Sequence, residues 1–263
     1  MKDAPQRLDA LLVERGLAET RSRAQGLILS GSVRVGDRVV TKAGFRVPPN
    51  EPLAVESEDG FVSRAGEKLD GALDEFGVRV EGRPCLDAGA STGGFTDVLL
   101  KRGAGRVLAV DVGYGQLDWT LRNDPRVVVM ERTNVRHLTG EDLPFDPDLL
   151  VADLSFISLT VALRGLLSTT PSLREAVVLV KPQFEAGPEQ VGRGGLVRDP
   201  AVHAAVVREV ASSFEALGFG AAGLTRATVP GRRAGNREYP LYLVRGARTT
   251  LDEARILEVV EGV

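Results

Sequence analysis

The sequence predicts an α/β protein: a doubly wound, Rossmann-like domain preceded by a small α+β unit. Three observations carry that expectation. From Arg83 onward, short apolar runs alternate with helix-period stretches, and each run ends in a polar or charged residue. The first 50 residues pattern instead as helix, helix and hairpin. Charge divides in the same way: residues 1–50 hold nine Lys/Arg against five Asp/Glu, a balance of +4, whereas the remainder carries −7.

A chain of 263 residues suits one large domain with an appendage, and 43% hydrophobic with 26% charged residues is an ordinary globular composition. Cys85 is the single cysteine. It excludes an internal disulfide and a cysteine-based zinc site, and it suits a reducing cytoplasm. Residues 1–7 lack the apolar stretch of a secretory signal, and no segment approaches the roughly 20 apolar residues of a membrane helix. The expected location is cytoplasmic, with no membrane partner.

At the amino end, Leu8, Leu11 and Leu12 form a helical stripe that stops at Gly16. Thr20 or Ser22 is placed to cap a second helix, with Ala24, Leu27 and Ile28 apolar and Gly31 at its end. Val33 and Val35 then alternate with polar residues, Gly36-Asp37 turns the chain, and Val39-Val40 returns as a strand. Pro48, Pro49 and Pro52 break the pattern. Arg7, Arg15, Arg21, Arg23, Arg34, Arg38 and Lys42 are spared from the apolar positions. Spacing alone leaves open a solvated surface or a contact with a polyanion. The stretch RLDALLVERGLAETRSRAQGLILSGSVRVGDRVV resembles the S4 RNA-binding domain in its helix order, Arg-rich second helix and hairpin. The resemblance implies that Arg7, Arg15, Arg21, Arg23, Arg34 and Lys42 grip structured RNA by backbone and shape. The expected boundaries are 1–58 for this unit, 59–66 for a linker and 67–263 for the larger domain.

In the larger domain a helix carries Leu69, Ala72, Leu73 and Phe76 on one side. The runs PCLDAG, VLAVDVG, VVVMERT, LLVADLS and AVVLVKP read as buried parallel strands. Ligands bind at the carboxyl ends of such strands, so Asp87, Asp111, Asp153 and Lys181 are expected along one crevice. The first strand enters the loop Asp87-Ala-Gly89-Ala-Ser-Thr-Gly93-Gly94, whose glycines let backbone amides approach a ligand. A nicotinamide enzyme is disfavoured: the loop lacks G-x-G-x-x-G, and Asp87 would repel a pyrophosphate. S-adenosylmethionine, with its sulfonium and ammonium, suits an acid at that position, and Asp111 is placed for its ribose hydroxyls.

CLDAGASTGGFTDVLLKRGA, VDVGYGQLDWTLRNDPRVVVMERTNVR, DLLVADLSFISL and VLVKPQFE resemble the TlyA family of ribosomal RNA methyltransferases, which joins an S4 domain to an FtsJ/RrmJ-like class I methyltransferase domain. The similarity runs to about Gly246. It implies cytidine 2′-O-methylation in ribosomal RNA, on rRNA or ribosomal subunits as partner. It also implies a Lys-Asp-Lys-Glu tetrad at Lys68, Asp153, Lys181 and Glu238, with Asp87, Gly89, Ser91, Gly93, Asp111, Asn134 and Asp153 around the cofactor. AGEKL stands here where G-A-H-K-L is commoner.

A ribose hydroxyl is a poor nucleophile and must be oriented and deprotonated as the methyl moves. Lys68 would lower the pKa of Lys181, whereas Asp153 and Glu238 would raise it, so Lys181 is either a base or an orienting cation. No metal is expected, and His137 and His203 lack ligand spacing. The glycine-rich stretch Gln183 to Asp199 reads as a flexible cover, with Arg193 and Arg198 on phosphates, or as a disordered loop. Two other functions stay open: an RNA-binding assembly factor without catalysis, and the membrane lysis implied by relatives named haemolysins. The sequence leaves the oligomeric state undetermined.

Overall fold

The computed structural model describes residues 5–15, 17, 18, 20–29, 31–36, 38–48, 51–55, 60–229 and 236–262. The chain divides into two compact units, Met1–Gly60 and Phe61–Val263.

In the first unit β1 (Gln6–Arg7) leads into α1 (Leu8–Glu14), followed by α2 (Arg21–Leu29), β2 (Val33–Val35), β3 (Arg38–Val39), β4 (Arg46–Val47) and β5 (Leu53–Val55). Leu8, Leu11 and Leu12 of α1 pack with Ala24 and Ile28 of α2 and with Val33, Val35 and Val47. That is the core expected from the apolar spacing. Thr20 Oγ1 accepts the Arg23 amide at 3.1 Å, so the cap of α2 is Thr20. β2 pairs antiparallel with β3 and with β5, and β1 with β4. The pairings of β1, β4 and β5 lie beyond the expected hairpin, because two- and three-residue strands leave no period to read. Gly16, Asp37 and Pro49, read as a helix stop, part of a turn and a break, lie outside the described residues.

The second unit contains α3 (Ala65–Phe76), β6 (Pro84–Ala88), α4 (Gly94–Lys101), β7 (Arg106–Val110), α5 (Trp119–Arg122), β8 (Val127–Met130), β9 (Leu149–Ala152), α6 (Leu159–Thr169), β10 (Glu175–Val180), α7 (Pro182–Glu185), α8 (Pro200–Glu215), β11 (Phe219–Leu224), β12 (Tyr239–Arg245) and α9 (Glu253–Glu261). Its seven-stranded sheet has the order β11-β12-β10-β9-β6-β7-β8. β10, β9, β6, β7 and β8 are mutually parallel, whereas β12 runs antiparallel to both β10 and β11.

Side chains alternate between two cores, as the pleat requires. Leu86, Leu108, Leu150 and Val178 face α6, α8 and α9, while Cys85, Val107, Val151 and Val177 face α3 and α4. Helices on both faces make the doubly wound architecture. The segment expected as a linker departs from that reading from Phe61 onward. The Val62 amide donates to Asp97 Oδ2 at 2.8 Å, and Phe61 and Val62 pack on the α3–α4 core. Those apolar side chains gain more from burial than from a solvated tether, so the junction belongs to the larger unit.

Candidate active site

The carboxyl ends of the parallel strands set the site. Register pairs Ala88 with Val110 and with Ala152, and Ala152 with Val178, so the residues that follow emerge along one edge of the sheet. Gly89 follows β6 at a φ of 88°, and a Cβ there would sit 2.7 Å from the Asp153 carbonyl oxygen. Only glycine fits. Gly93 opens α4 at a φ of 99°, where a Cβ would meet Leu121 and Leu117. Ser91, Arg132 and Phe156 are the non-glycine residues at positive φ among the described residues. They follow β6, β8 and β9 respectively, so backbone strain gathers at this edge, as it does at functional sites.

Asp111 accepts two backbone amides, from Ser91 at 2.8 Å on Oδ2 and from Gly113 at 2.6 Å on Oδ1. It therefore ties the β7 end to the glycine loop and keeps lone pairs for a ligand hydroxyl. Asp87 is fully buried. Its Oδ2 accepts the Thr96 hydroxyl at 2.7 Å, and its Oδ1 has no partner among the described residues. Burial pushes the Asp87 carboxyl up to about 7 against the opposing Thr96 hydrogen bonds, with Asp153 and Asp111 adding repulsion. A buried acid with an unsatisfied oxygen, beside a cradle that admits no Cβ, fits a cation better than a phosphate. S-adenosylmethionine meets that requirement. Asn134 follows β8, where the neighbouring Thr133 amide donates to the Asp111 carbonyl at 2.9 Å. Its Oδ1 caps the next turn through the Arg136 amide at 3.1 Å, and the residue is exposed.

The four tetrad positions form two ion pairs. Lys68 Nζ, from the buried face of α3, lies 2.5 Å from Glu238 Oε2. Lys181 Nζ pairs with Asp153 Oδ1 and also donates to Ser155 Oγ at 3.0 Å. Val180 pairs with Tyr239 across β10 and β12. Continuing that register by one residue sets Lys181 opposite Glu238. Glu238 is buried rather than a solvated strand end, and the antiparallel β12 is what returns it to the site.

Sequence reasoning missed the aromatic rim. Phe156 is 86% exposed, and its ring centroid lies 5.0 Å from that of Phe184, which in turn lies beside Lys181 Nζ. Tyr114 and Trp119 are exposed after β7, and the Arg132 guanidinium sits 4.3 Å from the Tyr114 ring centre. In a chain with only 5% aromatics, their placement just after strand ends was the available signal.

The stretch from Gln183 to Asp199, read as a flexible cover or a disordered loop, has regular structure. It takes in α7 after its first residue, a 3-10 turn at Pro188–Gln190 and a bridge between Gly192 and Leu196. Asn236 Nδ2 donates to the Gly195 carbonyl at 2.8 Å, and buried His203 donates from Nε2 to the Val197 carbonyl at 2.9 Å. His203 Nδ1 then accepts the Tyr239 hydroxyl at 2.7 Å, and burial lowers its pKa, in keeping with a neutral ring. Arg193 and Arg198 are exposed, as is His137. Among the described residues no group of three His, Cys, Asp or Glu side chains could hold a metal, and no helix is long and apolar enough to cross a membrane.

In the first unit, Arg7 donates from Nε and Nη2 to buried Asp9 at 3.0 and 2.9 Å, and Arg21 Nε reaches the same carboxylate at 3.2 Å. The arginines hold that carboxyl well below the usual range, while both remain about half exposed. Arg15 Nη1 donates to the Glu51 carbonyl at 2.8 Å. Arg23 and Arg34 are half-buried and Lys42 is exposed.

Comparison with known proteins agrees with both units. Residues 61–245 match the FtsJ-like methyltransferase family and residues 6–53 match the S4 domain. The chain is 51% identical over 250 residues to the 16S/23S rRNA (cytidine-2′-O)-methyltransferase TlyA of Mycobacterium tuberculosis, covering 94% of this chain and 91% of that protein. It is 40% identical to Hemolysin A of Brachyspira hyodysenteriae, over 90% of this chain and 99% of the relative. A solved hemolysin-named structure from Streptococcus thermophilus superposes with a TM-score of 0.76 at 38% identity, covering 98% of this chain and 95% of that one. The chain belongs to the TlyA family, in which an S4 domain precedes an FtsJ-like methyltransferase domain.

Proposed function

We propose that this protein transfers a methyl group from S-adenosylmethionine to the 2′-hydroxyl of a cytidine in ribosomal RNA. The observation that carries this reading is the pairing of Lys181 with Asp153 at the strand edge shared with Asp87, Asp111 and the glycine loop. The relatives named rRNA (cytidine-2′-O)-methyltransferase supply the substrate class.

Asp87, Gly89, Ser91, Gly93 and Asp111 would hold the cofactor: the acid faces its positive charge and Asp111 its ribose, with Asn134 at the adjoining strand end. When bound, the cofactor supplies an electrophilic methyl group. Lys181 orients the ribose hydroxyl and stabilises the negative charge that develops on its oxygen, while Asp153 and Ser155 fix the direction of Nζ. Lys68 and Glu238 close the site with a second, mutually neutralising pair. Phe156, tilted against Phe184, offers an exposed ring on which an unstacked base can rest. Arg7, Arg15, Arg21, Arg23, Arg34 and Lys42 contact the RNA backbone.

Incubating the protein with unmodified ribosomal subunits and isotope-labelled S-adenosylmethionine, then mapping 2′-O-methyl groups, tests the reading. Label on a cytidine 2′-hydroxyl in one or both subunits is the expected result. Label on a base, or no label with intact cofactor binding, would overturn it.

A further inference from the structure

Asp153 and Lys181 end neighbouring parallel strands, but the strand register stops at Val178 paired with Ala152. Beyond that point the two strands no longer pair with each other, although Val180 still pairs with Tyr239 and the Asp153 amide donates to the Ala88 carbonyl. Besides the Lys181–Asp153 pair, three contacts join the two following segments. Lys181 Nζ donates to Ser155 Oγ at 3.0 Å. The Phe156 and Phe184 rings stand 5.0 Å apart. Farthest from the sheet, Glu185 Oε1 accepts the Leu159 amide at 2.8 Å.

The third contact anchors the others. Leu159 opens the eleven-residue α6, and its N-cap Ser158 makes no side-chain cap bond to its own helix. The first amides of a helix need an acceptor, and a carboxylate there also complements the positive end of the dipole. Glu185 supplies both from another element. It does so rigidly, because α7 starts directly after Lys181: the Phe184 amide donates to the Lys181 carbonyl and the Ala186 amide to that of Pro182, each at 2.9 Å. A half-buried acid has been placed where burial works against its ionisation. Its geometry is met by the α6 terminus and not by a basic side chain.

We propose that Glu185 is a positioning residue for methyl transfer: it clamps the Asp153–Ser158 segment to the Lys181–Glu185 segment, so that Asp153 and Ser155 keep Lys181 Nζ aimed at the hydroxyl. This rests on the reading of Lys181 given above. Misplacing reacting groups by about 1 Å can cost roughly a hundredfold in rate, so a loosened clamp should appear in turnover.

The test uses the full chain, S-adenosylmethionine and unmodified ribosomal subunits. Turnover, KM for the subunits, cofactor affinity and melting temperature are measured for Glu185→Ala, Glu185→Gln, Glu185→Asp, Ser155→Ala, the Glu185→Ala/Ser155→Ala double variant and Lys181→Ala. Glu185→Ala should lose at least about tenfold in kcat with cofactor affinity and KM nearly unchanged. Glu185→Gln, whose amide oxygen can still accept from the Leu159 amide, should stay within about threefold of wild type. Glu185→Asp, which keeps the charge but is too short to reach the Leu159 amide, should lose turnover in the same direction and serves if Glu185→Ala does not fold. Loss of kcat from Glu185→Ala should also fail to multiply with the loss from Ser155→Ala, since both act on Lys181. Normal turnover in Glu185→Ala, equal losses in the Ala and Gln variants, or fully multiplicative losses would each overturn the proposal. If Lys181→Ala itself turned over normally, the reading of Lys181 would fall and this inference with it. If Lys181→Ala were inactive but Glu185→Ala normal, only the clamp would fall.

Discussion

Lys68 and Glu238 lie 170 positions apart in the chain and meet as a buried ion pair 2.5 Å apart. α3 brings one and the antiparallel β12 the other. Removing a single partner strands an uncompensated charge in the interior, which typically costs about 3–5 kcal/mol, whereas replacing both costs far less. Lys68→Met and Glu238→Gln should each lower the denaturation midpoint, and the double variant should recover part of the loss. Additive losses in a denaturant titration would mean the pair is not coupled.

Asp87 carries a pH signature. Its carboxyl is raised to about 7 in the fold, above an unfolded value of about 3.9. The folded state therefore holds the proton more tightly. The stability associated with that proton is present below the unfolded pKa and is lost as pH rises through about 7. Without cofactor, the protein should lose stability between about pH 4 and 7 more steeply than Asp87→Asn. A cationic cofactor favours the ionised acid, so S-adenosylmethionine affinity should rise with pH over the same window. Calorimetry that finds the same pH dependence in the Asn variant would remove Asp87 as its source.

Much of this site is legible in the sequence because parallel strands announce themselves. Five apolar runs with polar ends locate Asp87, Asp111, Asp153 and Lys181 without any knowledge of the fold. β11 and β12 are less visible. FGAAGL is too small and glycine-rich to read as a strand, and Pro240 interrupts YPLYLVR. Glu238 therefore gains its meaning from the family pattern and its burial only from the structure. Glu185 is legible in neither periodicity nor charge. Its role depends on a helix terminus 26 positions away that has no cap of its own.

Asp111 holds two loop amides and is the proposed partner of the cofactor ribose. Asp111→Ala should weaken S-adenosylmethionine binding by about 1.5–3 kcal/mol, the scale of hydrogen bonds to a charged group. Asp111→Asn keeps one acceptor oxygen and should fall between. Unchanged affinity of the Ala variant by titration calorimetry would exclude Asp111 from the cofactor site.

Arg21 is held on Asp9 with its side chain still 58% exposed, so its guanidinium is oriented before any RNA arrives. If it meets a phosphate, Arg21→Ala should weaken RNA binding and reduce the salt slope by about 1 as one counterion contact is lost. Cofactor affinity should not change. An unaltered salt slope would place Arg21 outside the RNA contact. Asp9→Asn should have a smaller effect of the same sign, because it loosens the arginines without removing their charge.

Lys181 separates two mechanisms that share one geometry. Its Nζ is paired with Asp153 and hydrogen-bonded to Ser155, so the ammonium can aim the ribose hydroxyl and stabilise its oxygen without leaving its partners. An interaction made mainly in the transition state lowers turnover when removed and leaves ground-state affinities nearly intact. Lys181→Ala should therefore bind cofactor and RNA almost normally and lose about a hundredfold or more in methyl transfer. Lys181→Arg distinguishes the roles. A guanidinium keeps the charge but does not release its proton at accessible pH. If Lys181 is the base, the Arg variant should be as inactive as the Ala variant at every pH. If it acts as a cation, Arg should restore part of the rate, and proton removal then falls to water. Single-turnover transfer measured from pH 6 to 9 for the three proteins decides between them, and near-normal transfer by Lys181→Ala would exclude both.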